Sequence, residues 1–178
     1  MTETVKPPIA RGPLVEWHLA AGATIEAVDG WEVCTAYPAE PDEGTNVLVD
    51  VSHRRVLELN GPVTGDRVEE LAGGEVEVGR HTAIGRTTCY RLTVDRAILA
   101  GDIDLPEAID VTGGWAGLLL AGPDAAGLLS KVVALDLRPD RFPAGCCAQA
   151  PLFGVNTLIG RFAGHWELAA CPDSAEFL

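Results

Sequence analysis

The sequence repeats itself. Val49-Asp50-Val51-Ser52, then Val56-Leu57-Glu58-Leu59-Asn60-Gly61-Pro62 and a helical stretch ending at Leu71, is echoed by Ile109-Asp110-Val111-Thr112, then Gly117-Leu118-Leu119-Leu120-Ala121-Gly122-Pro123 and a helical stretch ending near Val133. Each copy is followed by two apolar runs joined by a polar turn: 89–92 and 97–100 around Asp95-Arg96, then 157–159 and 166–170 around Ala163-Gly164. Strand, Gly-Pro, helix and hairpin, performed twice, predict an α+β fold of duplicated strand–helix–hairpin (ferredoxin-like) units.

The punctuation supports the pattern. Each Gly-Pro stands just before a helix, where a missing N–H costs nothing. Asp124 and the 64–66 segment offer acceptors to the N-terminal turns, and a helix over 125–133 would bury Leu128, Leu129, Val132 and Val133. Upstream, Leu14, Trp17, His18 and Ala21 share one helical face, with Gly22 as the stop. An extended pair turning at Asp29-Gly30 follows, and then an acidic, proline-broken loop over 37–44. Residues 135–151, with three prolines, read as a crossover or loop, and Ser174 reads as an N-cap. The expected organisation is a flexible arm over 1–12 and one domain over 13–178, made of repeats at about 47–102 and 107–178.

With 178 residues, 47% of them hydrophobic, the chain can bury a core without metal or disulfide. A net charge of −13 and a pI near 4.6 argue against nucleic acid or an anionic membrane as partner. The arginines are scattered and read as surface residues. Five cysteines in no regular framework, behind a start with neither basic nor apolar leader, point to the cytoplasm. The longest apolar stretch breaks at Gly122-Pro123, so no membrane span is expected. His18, His53, His81 and His165 lack metal-ligand spacing, and no nucleophile elbow or phosphate-binding glycine pattern is present. Adjacent Cys146 and Cys147 read as neighbouring buried thiols.

Several motifs together carry a resemblance. Pro13 to Ala23, Asp29-Gly30-Trp31-Glu32-Val33, Val49-Asp50-Val51-Ser52-His53 and Leu59-Asn60-Gly61-Pro62 resemble the opening of the glycine-cleavage T-protein family of tetrahydrofolate-dependent aminomethyltransferases. In the second half, Leu120 to Ala125, Leu135-Asp136-Leu137-Arg138-Pro139 and Phe142 to Gln149 are similar to the gamma subunit of heterotetrameric sarcosine oxidase. The related N-methylglutamate dehydrogenase complex has a comparable small subunit.

The resemblance also marks departures. The family's acidic pair would fall within 85–92, which reads Gly-Arg-Thr-Thr-Cys-Tyr-Arg-Leu. The family's pterin-binding glutamate would fall where Ala163 stands, leaving only Glu167 downstream, and a methyl group accepts no hydrogen bond. The family's third, barrel-like part is expected to be missing. The resemblance therefore implies a non-catalytic, gamma-type subunit of a flavin-dependent sarcosine oxidase or N-methyl amino acid dehydrogenase complex. Its partners would be larger flavoprotein subunits carrying flavin and NAD, with no cofactor bound by this chain alone. The alternative is a small tetrahydrofolate-dependent aminomethyl- or methyltransferase.

No catalytic residue and no metal ligand is expected. Asp50, Ser52, His53, Trp166 and Glu167 are the candidate ligand or partner contacts. Asp50, Ser52 and His53 fit either a remnant pocket or a turn whose side chains bond backbone. The four tryptophans fit either pterin stacking or core and interface anchoring.

Overall fold

In the run Ala97-Ile98-Leu99-Ala100 every side chain is apolar, so both faces of that strand must be covered. The computed structural model, which describes residues 8–178, shows the covering layers. A small N-terminal module comes first: β1 (Ala10–Arg11), α1 (Val15–Ala20), β2 (Thr24–Val28) and β3 (Trp31–Ala36), with sheet order β1-β3-β2. Part of the expected arm is in a sheet. Ala10 and Arg11 pair in parallel with Trp31 and Glu32, while the first seven residues of that arm lie outside the described residues.

Next come β4 (Val47–Asp50), β5 (Val56–Asn60), α2 (Thr64–Ala72), β6 (Arg80–Ile84), β7 (Thr87–Arg91) and β8 (Arg96–Ala100). The second half supplies β9 (Ile109–Asp110), β10 (Ala116–Ala121), α3 (Ala125–Ser130), β11 (Cys147–Leu152), β12 (Val155–Arg161) and β13 (His165–Ala170). Two five-stranded sheets result, with orders β6-β7-β8-β5-β9 and β11-β12-β13-β10-β4. The two orders correspond strand for strand. Each unit therefore holds one more strand than the strand–helix–hairpin pattern anticipates. The additional strand β11 occupies part of the region expected to be loop, with Pro151 opposite Asn156.

The two copies exchange their leading strands. β4 pairs antiparallel with β10 of the second half, Leu118 opposite Asp50, and β9 pairs with β5 of the first, Leu57 opposite Asp110. The halves are thus laced together rather than merely stacked.

Strand alternation sorts the core into layers. Ala97 and Leu99 of β8 face α2, with Val68, Leu57 and Cys89. Ile98 faces the other way and meets Tyr90, Cys147 and Leu158 between the two sheets. On the far side, Leu118, Ile159, Trp166 and Leu168 pack with Ala125 and Leu129 of α3. The order is helix, sheet, sheet, helix. The Gly-Pro steps have a conformational reason: Gly61 and Gly122 adopt φ of +118° and +132°, and a Cβ at Gly122 would overlap Asn46.

Some local expectations give way. The second helix stops at Ser130 rather than Val133, and Leu128 is exposed. Neither α2 nor α3 has a side-chain cap; the Thr64 hydroxyl donates instead to the Asp95 carbonyl. Ser174 closes a 3₁₀ turn, Pro172–Ser174, in place of capping a helix. Among the described residues, no helix is long and apolar enough to cross a membrane.

Candidate functional site

Between the sheets, a strand that buries apolar residues on both faces admits a polar side chain only if a partner reaches it. Glu167 on β13 meets this condition. The Tyr90 hydroxyl on β7 donates to its carboxylate, Arg54 Nη1 donates at 3.3 Å, and His165 Nε2 stands 3.6 Å away. Burial, reinforced by the carboxylate, raises the Tyr90 pKa far enough to keep the phenol protonated throughout the working range. Gly160, in mid-strand on β12, makes room for the phenol ring, because a Cβ there would stand 2.8 Å from Tyr90 Cε1. Beyond the pair, Phe162 stacks on His81 at 4.0 Å and on His165 at 4.5 Å.

The cavity beside this pair is small. It has a volume of about 40 Å³ and is lined by Ser52, Val56, Tyr90, Ile98, Trp115 and Glu167, among others. That volume holds about one or two waters.

The duplicated Asp-Val-Ser/Thr motif has a structural explanation. Asp50 Oδ1 accepts from the Ser52 backbone N–H at 2.9 Å and from its hydroxyl at 2.6 Å. Asp110 Oδ1 does the same for Thr112, at 3.0 and 2.7 Å. The Ser52 hydroxyl oxygen then accepts from Gly117 N–H, and that of Thr112 from Val56 N–H. Each motif ends its strand and fastens it to the other half's sheet. The turn that bonds backbone is observed for Asp50 and Ser52, and both side chains also border cavities.

Asp50 has a second function that its counterpart lacks. His18 of α1 donates from Nε2 to Asp50 Oδ2 at 3.0 Å, and its Nδ1 lies 2.5 Å from the Tyr37 hydroxyl. The three side chains border a cavity of about 400 Å³ between the N-terminal module, β4, β10 and the C-terminal segment. Trp17, Leu48, Leu118 and Glu176 are also on its wall. Burial raises the Tyr37 pKa, with Cys34 beside its hydroxyl adding to the effect.

The five candidate residues are thus dispersed. Ser52 and Glu167 border the small cavity and Asp50 the large one, while His53 lines neither. The His53 pKa is lowered by its burial. Trp166, among the expected ligand or partner contacts, is buried. Alternation on β13 turns it away from Glu167 into the core, where it stacks on Phe142 at 6.0 Å beneath the Arg161 guanidinium. Ala163, at the position expected for a pterin-binding carboxylate, is exposed in the β12–β13 turn.

Sequence reasoning passed over Tyr90, Arg54 and Tyr37 as site residues, and saw His18 only as a helix-face residue. The available signal for His18 was a histidine at helical spacing from Leu14, on the face that becomes buried.

No family model matches the chain. Among curated proteins it is similar to aminomethyltransferases: 25% identical to that of Desulforamulus reducens over 86% of this chain, 26% to that of Symbiobacterium thermophilum over 93%, and 29% to that of Rubrobacter xylanophilus over 77%. The chain spans about half the length of these relatives, 50%, 53% and 46% respectively. Among solved structures it superposes on the glycine cleavage system aminomethyltransferase T of Bartonella henselae with a TM-score of 0.75 and 19% identity, covering 95% of this chain and 55% of that one. It also superposes on a chain of the heterotetrameric sarcosine oxidase of Corynebacterium sp. U-96, with a TM-score of 0.70 and 18% identity, over 93% of this chain and 89% of that one. The fold is the α+β fold of the glycine-cleavage T-protein, shared with this sarcosine oxidase subunit.

Proposed function

We propose that this chain is a non-catalytic, gamma-type subunit of a flavin-dependent sarcosine oxidase or N-methyl amino acid dehydrogenase complex of the cytoplasm. In this reading its partners are larger flavoprotein subunits, which carry the flavin and NAD, and its own role is to complete and stabilise the assembly in folate-linked one-carbon metabolism. The observation that carries the reading is that the space between the sheets is filled by the chain's own groups. Glu167 is engaged by Tyr90 and Arg54, and the remaining volume is about 40 Å³. Tetrahydrofolate also bears a doubly anionic glutamate tail, and among the described residues no lysine or arginine lines the 400 Å³ cavity.

Two further observations support a subunit role. The similar sarcosine oxidase chain is covered over 89% of its length, against 55% for the T-protein. Large apolar side chains outside the 400 Å³ cavity stand exposed, Val94 at 70% and Val63 at 68% among them, and would be covered by a partner.

The second reading is a small tetrahydrofolate-dependent aminomethyl- or methyltransferase, favoured by the sequence similarity to aminomethyltransferases over most of this chain. Calorimetric titration of the purified chain with tetrahydrofolate separates the two. The subunit reading expects no saturable heat. Binding near 1 μM, about −8 kcal/mol, by a monomeric chain would establish the transferase reading.

A further inference from the structure

The geometry points to a binding site for a small organic ammonium ion, an N–H-bearing cation on an apolar body, in the 400 Å³ cavity headed by Tyr37. With the Asp50 carboxylate ionised and the His18 ring neutral, the proton directions along its wall follow from the donor and acceptor chemistry. An ionised Asp50 can only accept, and its Oδ1 is occupied by the Ser52 N–H and hydroxyl. The bond to Oδ2 therefore requires the proton on His18 Nε2. In the neutral ring Nδ1 is then an acceptor, so the Tyr37 hydroxyl donates to it across 2.5 Å. With its proton committed inward, the phenol oxygen is left as an acceptor at the cavity, and the charge of Asp50 stands behind it.

This relay is not needed to build the turn. Asp110 makes the same bonds to Thr112 with no histidine, and its second oxygen meets only Arg55, at 3.4 Å, on an exposed edge. His18 is 95% buried, and its environment exists only around the Asp50 copy.

The other walls agree on the ligand. Glu176 adds a second anionic group, and among the described residues no lysine or arginine lines the cavity. The indole of Trp17 is held edge-on against His18, with ring centroids 5.7 Å apart, and is largely exposed. Such a ring attracts a cation to its face. Leu14, Leu48, Leu118 and Ala175 supply apolar surface for the body of the ligand. The volume suits a molecule of about ten heavy atoms. An anion would meet two carboxylates with no compensating charge.

The test is an NMR titration of the ¹⁵N-labelled chain with benzylammonium chloride, and with benzyl alcohol and sodium benzoate as neutral and anionic counterparts. The Trp17 indole signal is assigned with Trp17→Phe. Benzylammonium should shift that signal saturably with a Kd of about 1 mM or tighter. Benzyl alcohol should bind about tenfold more weakly and benzoate should leave the signal unmoved. Tyr37→Phe and Glu176→Gln, both at exposed positions, should each weaken benzylammonium several-fold while the rest of the spectrum remains that of the folded chain. An equal response to all three compounds, no response to benzylammonium, or unchanged affinity in both variants would overturn the proposal.

Discussion

The Tyr90 hydroxyl on one sheet donates to the Glu167 carboxylate on the other, so the two halves of the duplicated chain share a hydrogen bond in the layer between them. Tyr90 is almost wholly buried. Tyr90→Phe removes one donor from a carboxylate that keeps Arg54 and His165. Bonds to charged groups are the stronger kind, and the variant should lose about 1.5–3 kcal/mol, read from urea unfolding. Gly160→Ala should cost about 1–3 kcal/mol by pushing on the same ring. A loss below about 0.5 kcal/mol in both would show that the pair does not hold the halves together.

The exchanged strands make a second, comparative prediction. Ser52 is buried, and its hydroxyl joins Gly117 N–H to Asp50. Ser52→Ala leaves that N–H without its acceptor at a cost of about 1–3 kcal/mol. Thr112→Val removes the matching bond to Val56 N–H where Asp110 is exposed and water can replace it. The Thr112 variant should lose less than half as much, and equal losses would refute the asymmetry.

All five cysteines are free thiols. Burial pushes the Cys147 thiol up to about 12 and the Cys89 thiol up to about 11. Both should stay silent toward a chromogenic disulfide reagent at mildly alkaline pH until denaturant is added. Cys171 is exposed and should give the first reacting phase, which Cys171→Ser removes.

Acidification tests the ring stack on the inter-sheet layer. Burial lowers the His81 pKa, outweighing the Arg161 carbonyl and Glu167, which favour the charged ring. As pH falls, the unfolded chain therefore takes up the proton first. The stability gained by burying the neutral ring is complete above about pH 6.5 and is lost as pH falls through the lowered folded value. His53, lowered by burial as well, adds loss of the same sign. The urea midpoint should decline on acidification through this window, less steeply in His81→Gln than in the natural chain. An unchanged slope would remove His81 from the account.

Much of the fold was legible because the repeat is written in apolar runs and Gly-Pro steps that map onto β5, β10 and the helices after them. The lead strands were legible as repeats, but their exchange was not. Val49 and Ile109 are equally apolar, and pairing partners depend on long-range packing rather than on local pattern. β11 was hidden by Pro143 and Pro151, which signal loop even though Pro151 falls in an edge strand where its missing N–H is tolerated. The site was less legible still. Asp50 and Ser52 stood out as a motif, but His18 and Tyr37 are separated by 19 residues and Tyr90 and Glu167 by 77. Only folding brings such pairs together. Trp166 drew attention as a tryptophan beside Glu167, and strand alternation placed the two on opposite faces.

The central claim is that the chain works as a subunit beside flavin-bearing partners. The most direct measurement is to purify the affinity-tagged chain from its own cells and record flavin absorbance across the size-exclusion profile. The account predicts a complex with larger polypeptides, flavin co-eluting with the chain, and oxidation of an N-methyl amino acid that survives Glu167→Ala whenever the complex assembles. A chain eluting alone, without flavin, and transferring a one-carbon unit to tetrahydrofolate would contradict it.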